Sequence, residues 1–260
     1  MKPVLEFNNV IVSFGGLKAV NDVSFTIEEG QIFGLIGPNG AGKTTVFNTI
    51  TGFYKPDSGE IRFLGEPIEG KPTWWITRKG ICRTFQNIRV FKQLTVLDNV
   101  RIALHEAAEY GLLDAGTHAT KKFRQREEEI IKVSDELLGG IGLLEERSKI
   151  ASQLPYGKQR ELEIARALAL KPKLLLLDEP AAGMNPTETM ELGRYIKSIR
   201  DNLGITIFVI EHHMDLVMGI CEEVAVMDFG VKIAEGTPDV VKNNPQVISA
   251  YLGQEVSTNA

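Results

Sequence analysis

Along the chain, short runs of apolar and β-branched residues alternate with longer stretches in which apolar positions recur every three to four residues. The short runs, each bounded by turn residues or charges, predict strands over 4–7, 23–27, 31–36, 60–63, 81–85, 174–177, 205–210 and 224–227. The longer pattern predicts helices following Gly42 and across 126–138, 159–170 and 188–203. Strands separated by helices of this length imply a mainly parallel α/β sheet with helices on both faces. The first third is richer in strands, which points to an antiparallel β patch joined to that core. Residues 87–166 carry no strand pattern and read as a helical insertion between two parts, 1–86 and 167–260, of one α/β domain. The tail from Ser257 is expected to fray.

Composition narrows the classes. The chain has 260 residues, ample for a real core, with 29 basic and 34 acidic side chains and a formal net charge of −5. That balance gives no support to nucleic-acid binding. The longest aliphatic run, Leu174 to Leu177, is far short of the roughly 18 residues that span a bilayer. No charged N-terminal region leads into an apolar stretch, so the expectation is a cytoplasmic protein. Cys82 and Cys221 have no CxxC spacing and read as buried thiols. Glycine is in excess, at 25 residues, and its placement carries chemistry.

The strongest signal is Gly37-Pro-Asn-Gly-Ala-Gly42-Lys43-Thr44, which fits GxxxxGK[ST] between a predicted strand and a predicted helix. Glycines let backbone N–H groups turn inward around β- and γ-phosphate oxygens, and the helix N-terminus adds the positive end of its dipole. Lys43 supplies a point charge and the Thr44 hydroxyl a ligand for Mg²⁺. A Gly-rich turn ending in Lys-Thr by accident is the bland alternative. The second half of the site is Leu174-Leu-Leu-Leu-Asp178-Glu179-Pro180, a buried strand that delivers Asp178 at its carboxyl end, where open α/β sheets bind ligands. Asp178 can hold Mg²⁺ through water, and Glu179 can orient or deprotonate an attacking water. Together the two segments point to a nucleoside triphosphatase.

Between them lies Leu154-Pro-Tyr-Gly157-Lys-Gln-Arg160, which resembles the signature motif, usually LSGGQ, of ATP-binding-cassette (ABC) ATPases. Other markers of that family follow in order. Phe14 matches the aromatic residue that stacks on adenine, and Gln86 matches the Q-loop glutamine that senses Mg²⁺ and faces the membrane partner. Gly183-Met-Asn185 matches the D-loop, and His212 matches the switch histidine. Stretches 14–25, 34–61, 83–100, 178–189 and 211–253 are similar to the ATPase subunits of branched-chain amino-acid importers. The telling segments are Thr51-Gly-Phe-Tyr-Lys-Pro56, Arg83-Thr-Phe-Gln-Asn-Ile88, Ala181-Ala-Gly-Met-Asn-Pro186 and Ser249-Ala-Tyr-Leu-Gly253. Three positions depart from the pattern. Pro155 stands where the signature has Ser, Asn185 where the D-loop has Asp, and His213 where an acidic residue commonly follows the switch histidine.

The resemblance implies a RecA-like P-loop NTPase core with an antiparallel β subdomain and an inserted helical subdomain. It implies a head-to-tail dimer, with itself or a sister ATPase subunit. ATP and Mg²⁺ would sit between Gly37, Pro38, Asn39, Gly40, Ala41, Gly42, Lys43, Thr44 and Thr45 of one chain and Leu154, Pro155, Tyr156, Gly157 and Lys158 of the other. Thr44, Gln86 and Asp178 would hold the metal, Glu179 and His212 would be catalytic, and Asn185 would hydrogen-bond across the dimer. The implied partners are transmembrane permeases on the inner face of the cell membrane and, through them, a periplasmic or extracellular amino-acid-binding protein. Ile88, Val90, Phe91 and Leu94 either grip a coupling helix of the permease or pack the helical insertion. A lipopolysaccharide exporter ATPase is the alternative within the family; an ABC ATPase acting on ribosomes or DNA is the one outside transport.

Some motifs read as decoys. His105-Glu-Ala-Ala-Glu109 lacks the second histidine of HExxH and reads as a solvated helix face. Asp228-Phe-Gly230 copies the kinase DFG without the other kinase motifs and reads as a hairpin turn before 231–234. Trp74-Trp75 reads as two aromatics packing a loop, His213 as exposed, and 121–129 as a solvated, mixed-charge helix face.

Overall fold

The computed structural model describes residues 2–107 and 121–257. Its contacts divide the chain into two units, Met1–Gln86 with Lys173–Ala260, and Asn87–Pro172. The second stretch of the first unit begins at Lys173 and not at 167, because the helix Tyr156–Leu168 runs unbroken past that point.

The first unit is built on two sheets. Strands β1 (Pro3–Phe14), β2 (Leu17–Glu28), β4 (Ser58–Phe63) and β5 (Glu66–Pro67) form an antiparallel sheet in the order β2-β1-β4-β5. The other sheet runs β10-β9-β3-β8-β7-β6, from β3 (Ile32–Ile36), β6 (Ile81–Arg83), β7 (Leu174–Asp178), β8 (Thr206–Ile210), β9 (Glu223–Asp228) and β10 (Val231–Gly236). All of its pairings are parallel except the β9–β10 hairpin. Strands β3, β7 and β8 are buried at every position, the pattern of a parallel sheet covered on both faces. β1 and β2 are far longer than their apolar runs because register irregularities carry the pairing through polar positions. Asn9 takes a positive φ of 47° at one such break and donates its N–H to Ser24 Oγ at 2.7 Å. β6 ends at Arg83, short of the expected 85, so Gln86 lies in the loop beyond it.

Aromatic packing joins the two sheets. Phe7 stacks on Phe25 at 4.9 Å and Phe25 on Phe33 at 5.5 Å. Phe208 meets Phe25, Phe33 and Phe47 edge-on, the last at 4.8 Å. Phe47 belongs to α1 (Lys43–Ile50), so the helix after the phosphate loop is anchored in the same cluster.

Helices α2 (Thr73–Lys79), α6 (Pro186–Leu203), α7 (Met214–Ile220), α8 (Pro238–Lys242) and α9 (Pro245–Ser257) complete this unit. Four of them lie outside the helix expectations, and α2 contains Trp74-Trp75, so that pair sits on a helix and not a loop. Thr73 opens α2 by donating its hydroxyl to the Thr51 carbonyl at 2.8 Å, a tertiary start signal no local pattern carries. The second unit packs α3 (Val96–Ala107), α4 (Lys121–Gly140) and α5 (Tyr156–Leu168) together. Its only β feature among the described residues is the bridge Thr95–Ile150. His105 sits 3.3 Å from Glu127 of α4, while Glu109 of the HExxH look-alike and residues 258–260 of the tail lie outside the described residues. No helix among the described residues is long and apolar enough to cross a membrane.

Phe208 is fully buried and touches three other rings, so Phe208→Ala should lower unfolding stability by about 3–5 kcal/mol. Chemical denaturation of the purified chain measures this directly.

Candidate nucleotide site

Gly37 follows β3, Gln86 follows β6, Glu179 follows β7 and His212 follows β8, so the carboxyl ends of four strands deliver four of the expected side chains to one edge. Gly37, Pro38, Asn39, Gln86, Glu179, His212 and Tyr251 line a cavity of about 370 Å³ there.

The loop geometry explains its glycines. Gly37 (φ 148°) and Gly42 (φ 101°) turn where a Cβ would collide with the carbonyl oxygens of Met227 and Ala19, so no other residue fits at either place. The loop is pinned from outside by the β9–β10 turn. Phe229 (φ 42°) and Gly230 (φ 81°) both take positive φ, as a tight two-residue hairpin requires. Gly230 donates its N–H to the Ala41 carbonyl at 3.0 Å and accepts from the Asn21 N–H at 2.8 Å. The DFG look-alike is therefore the expected hairpin turn, and it also braces the phosphate loop.

Lys43 is 6% exposed and donates to the Gly37 and Pro38 carbonyls at 2.6 and 2.8 Å. Burial lowers its pKa, against the opposing pull of Glu179, Asp178 and Glu211. Thr44 is exposed and Thr45 half-buried at the start of α1.

Asp178 ends β7 almost fully buried and forms an ion pair with Arg83 Nη2 at 2.6 Å. Arg83 also donates from Nη1 to Asn48 Oδ1 at 2.7 Å, and its guanidinium lies 5.5 and 5.3 Å from the rings of Phe47 and Phe85. The next residue, Glu179, adopts φ 44° and donates its N–H to the Ile210 carbonyl at 2.9 Å. Its Oε2 accepts from Gln86 Nε2 at 2.8 Å and lies 3.8 Å from His212 Nδ1.

Behind His212 stands Glu211, fully buried yet a carboxylate. Its Oε1 accepts the Ala181 N–H at 2.8 Å; its Oε2 accepts the N–H groups of His212 (2.9 Å) and His213 (3.2 Å). His213 Nδ1 lies 3.0 Å from the same oxygen, and its ring packs against His212 with centroids 4.2 Å apart. His213 is therefore half-buried and engaged, contrary to the exposed position expected for it. Both cysteines are buried, and burial pushes the Cys82 thiol up to about 12.

Other expected residues lie elsewhere. Phe14 ends β1, 45% exposed, with its ring 4.9 Å from that of Tyr54. Asn185 is the N-cap of α6: its Oδ1 accepts the Glu188 N–H at 3.0 Å while its own N–H donates to Glu188 at 2.9 Å. Its carbonyl oxygen is thus used within the chain, leaving its amide N–H groups for any outside contact. In the second unit α5 begins at Tyr156, three residues earlier than expected, with Pro155 as an N-cap that makes no side-chain hydrogen bond. Leu154 is buried beneath that start and accepts from the Gln159 side chain at 2.8 Å, whereas Lys158 pairs with Glu161 at 2.7 Å. The signature therefore presents the first-turn N–H groups of Tyr156, Gly157 and Lys158, which no intrahelical partner can take.

Arg83, Glu211 and Tyr251 are the residues that sequence reasoning missed. Arg83 and Tyr251 stand inside quoted motifs, Arg83-Thr-Phe-Gln and Ser249-Ala-Tyr-Leu-Gly253, and Glu211 directly precedes the switch histidine. Thr44, Asp178 and Gln86 offer a hydroxyl, a carboxylate and an amide oxygen, the hard donors that Mg²⁺ takes.

A glycine-cradled loop after a buried parallel strand, with acidic residues at the end of a second strand, defines a P-loop nucleotide-binding domain. Residues 20–182 match the ABC transporter family, and residues 231–257 match the branched-chain amino acid ATP-binding cassette transporter family. The chain belongs to the ABC transporter ATP-binding cassettes. It is 48% identical over 253 residues to the high-affinity branched-chain amino acid transport ATP-binding protein LivG of Salmonella typhimurium, covering 97% of this chain and 99% of that one. Against the lipopolysaccharide export system ATP-binding protein LptB of Haemophilus influenzae the identity is 34%, covering 97% and 98%. An ATP-binding cassette of an ABC transporter solved in its ADP conformation superposes with a TM-score of 0.85 at 32% identity, covering 97% and 100%.

Glu211→Ala would leave the N–H groups of Ala181, His212 and His213 without their acceptor. The expected loss is about 3 kcal/mol of stability, read by thermal or denaturant unfolding, whereas Glu211→Gln, which keeps one acceptor, should lose clearly less.

Proposed function

We propose that the chain is the ATP-hydrolysing subunit of an ABC importer for branched-chain amino acids. The observation that carries the reading is the cavity in which the phosphate loop, Glu179, Gln86 and His212 converge. The greater likeness to a branched-chain amino acid transport protein than to a lipopolysaccharide export protein supports the cargo.

Backbone N–H groups of the loop would cradle the β- and γ-phosphates of ATP. Lys43 would exchange the Gly37 and Pro38 carbonyls for phosphate oxygens, which are stronger acceptors for a cation. Thr44, Gln86 and Asp178 would hold Mg²⁺, which supplies neutralising charge on the phosphates. Arg83 fixes the Asp178 carboxylate by taking one of its oxygens. Glu179, once its Gln86 hydrogen bond is exchanged, would orient the attacking water. His212, its backbone fixed by Glu211, would hold water and γ-phosphate in line, a positioning role. Phe14 would stack on the adenine.

The second cassette, a copy of this chain or a sister subunit, would close the site with the α5 N-terminus. Pro155 removes the hydroxyl usual there, but backbone N–H groups and the helix dipole bind a phosphate without it. The γ-phosphate thus favours the closed dimer and its loss the open one, the differential affinity a transport cycle needs. Permeases would supply the membrane spans and an amino-acid-binding protein the cargo. Of the candidate permease contacts, Phe91 is exposed beside Arg166 and Val90 is buried, so Phe91 is the better anchor.

Co-purification from native membranes should recover two multi-spanning permeases and a sister ATPase, and ATPase activity should rise with liganded binding protein. Recovery of lipid-export subunits would change the cargo; recovery of ribosomes or DNA-repair factors alone would overturn the transport reading. Within the complex, Glu179→Gln should lower steady-state ATP hydrolysis by about 100-fold or more with ATP affinity retained, as measured by phosphate release and nucleotide titration.

A further inference from the structure

Ser249-Ala-Tyr-Leu-Gly253 takes no part in the ATP-hydrolysis roles assigned to the phosphate loop, Glu179 and His212. This segment lies in α9, whose chain leads from the β9–β10 hairpin through α8. From there Tyr251 returns to the phosphate cavity and lines it together with Gly37, Glu179 and His212. Its hydroxyl oxygen is buried with the Gly37 N–H directed at it, and its own O–H reaches no acceptor among the described residues. A buried hydroxyl in that condition costs on the order of one lost hydrogen bond, so its retention calls for an explanation.

Three properties narrow what that hydroxyl would meet. Burial pushes the phenol up to about 12, so it stays a neutral O–H donor at physiological pH. It stands at the first glycine of a loop whose N–H groups suit phosphate oxygens. Its neighbours Glu179 and Gln86 already satisfy one another. A neutral donor adds a hydrogen bond to an anion without competing with Lys43 for charge.

We propose that Tyr251 is a nucleotide-binding residue, its O–H donating to the terminal phosphoryl group of a bound nucleoside triphosphate, so that the C-terminal helix senses whether that group is present. The assignment rests on the nucleotide-site reading and extends it to the end of the chain. The hairpin supports the coupling, since its turn braces Ala41 and its second strand leads into α8 and α9.

The test is calorimetric titration of the full chain with ADP and with the non-hydrolysable β,γ-methylene analogue of ATP, for wild type and Tyr251→Phe. Phenylalanine keeps the ring and removes only the hydroxyl, and an unchanged melting temperature would confirm that packing is intact. The expected result is about tenfold weaker binding of the triphosphate, the size of a hydrogen bond to a charged acceptor, with ADP affinity unchanged. Equal weakening of both nucleotides, no change in either, or a destabilised fold would make Tyr251 a packing strut and overturn the assignment. A wild-type chain that binds neither nucleotide would overturn the site reading itself, which separates the two failures.

Discussion

Parallel pairing is the constraint on which the α/β unit depends. When β3 pairs with β8 and β8 with β7, in registers that place Leu35 beside Ile210 and Ile210 beside Asp178, the strands end together. Chemistry carried on the residues that follow is then gathered without any long loop. The same pairing demands strands buried on both faces, which is why β7 is four leucines and an aspartate. The aromatic cluster around Phe208 completes the arrangement by tying α1, and with it the phosphate loop, to that sheet.

Charge is the second organising quantity. Lys43, Arg83, Asp178, Glu179 and Glu211 lie in or near the cavity edge, and most are largely buried. Each buried charge has a partner: Arg83 takes Asp178, three backbone N–H groups take Glu211, and loop carbonyls take Lys43. Desolvation without such partners would cost several kcal/mol per ion. The partners also fix the orientation in which these groups face the cavity edge. Glu179 is held by Gln86 at 2.8 Å, whereas its contact with His212 is longer, at 3.8 Å.

What was legible in the sequence was local. The loop 37–44 and the Leu174–Asp178 strand announce themselves because residue type, spacing and flanking pattern lie within a dozen positions. The strand cores around 4–7 and 23–27 were visible too, but not the length of β1 and β2, since bulges at polar positions leave no apolar trace. Arg83 and Asp178 are 95 residues apart, and Ala181 and Glu211 are 30 apart. Those contacts come from strand order, which hydrophobic periodicity does not encode. The start of α5 lies ahead of the periodic stretch 159–170, because Tyr156, Gly157 and Lys158 follow the N-cap Pro155 without adding to the apolar period.

Glu179 holds one further consequence. Its φ of 44° lies in the left-handed region, where a side chain with a Cβ costs about 1 kcal/mol that glycine would avoid. Glycine there would relax the backbone but remove the carboxylate that faces the cavity, so a gain in stability and the loss of that group are tied to one another.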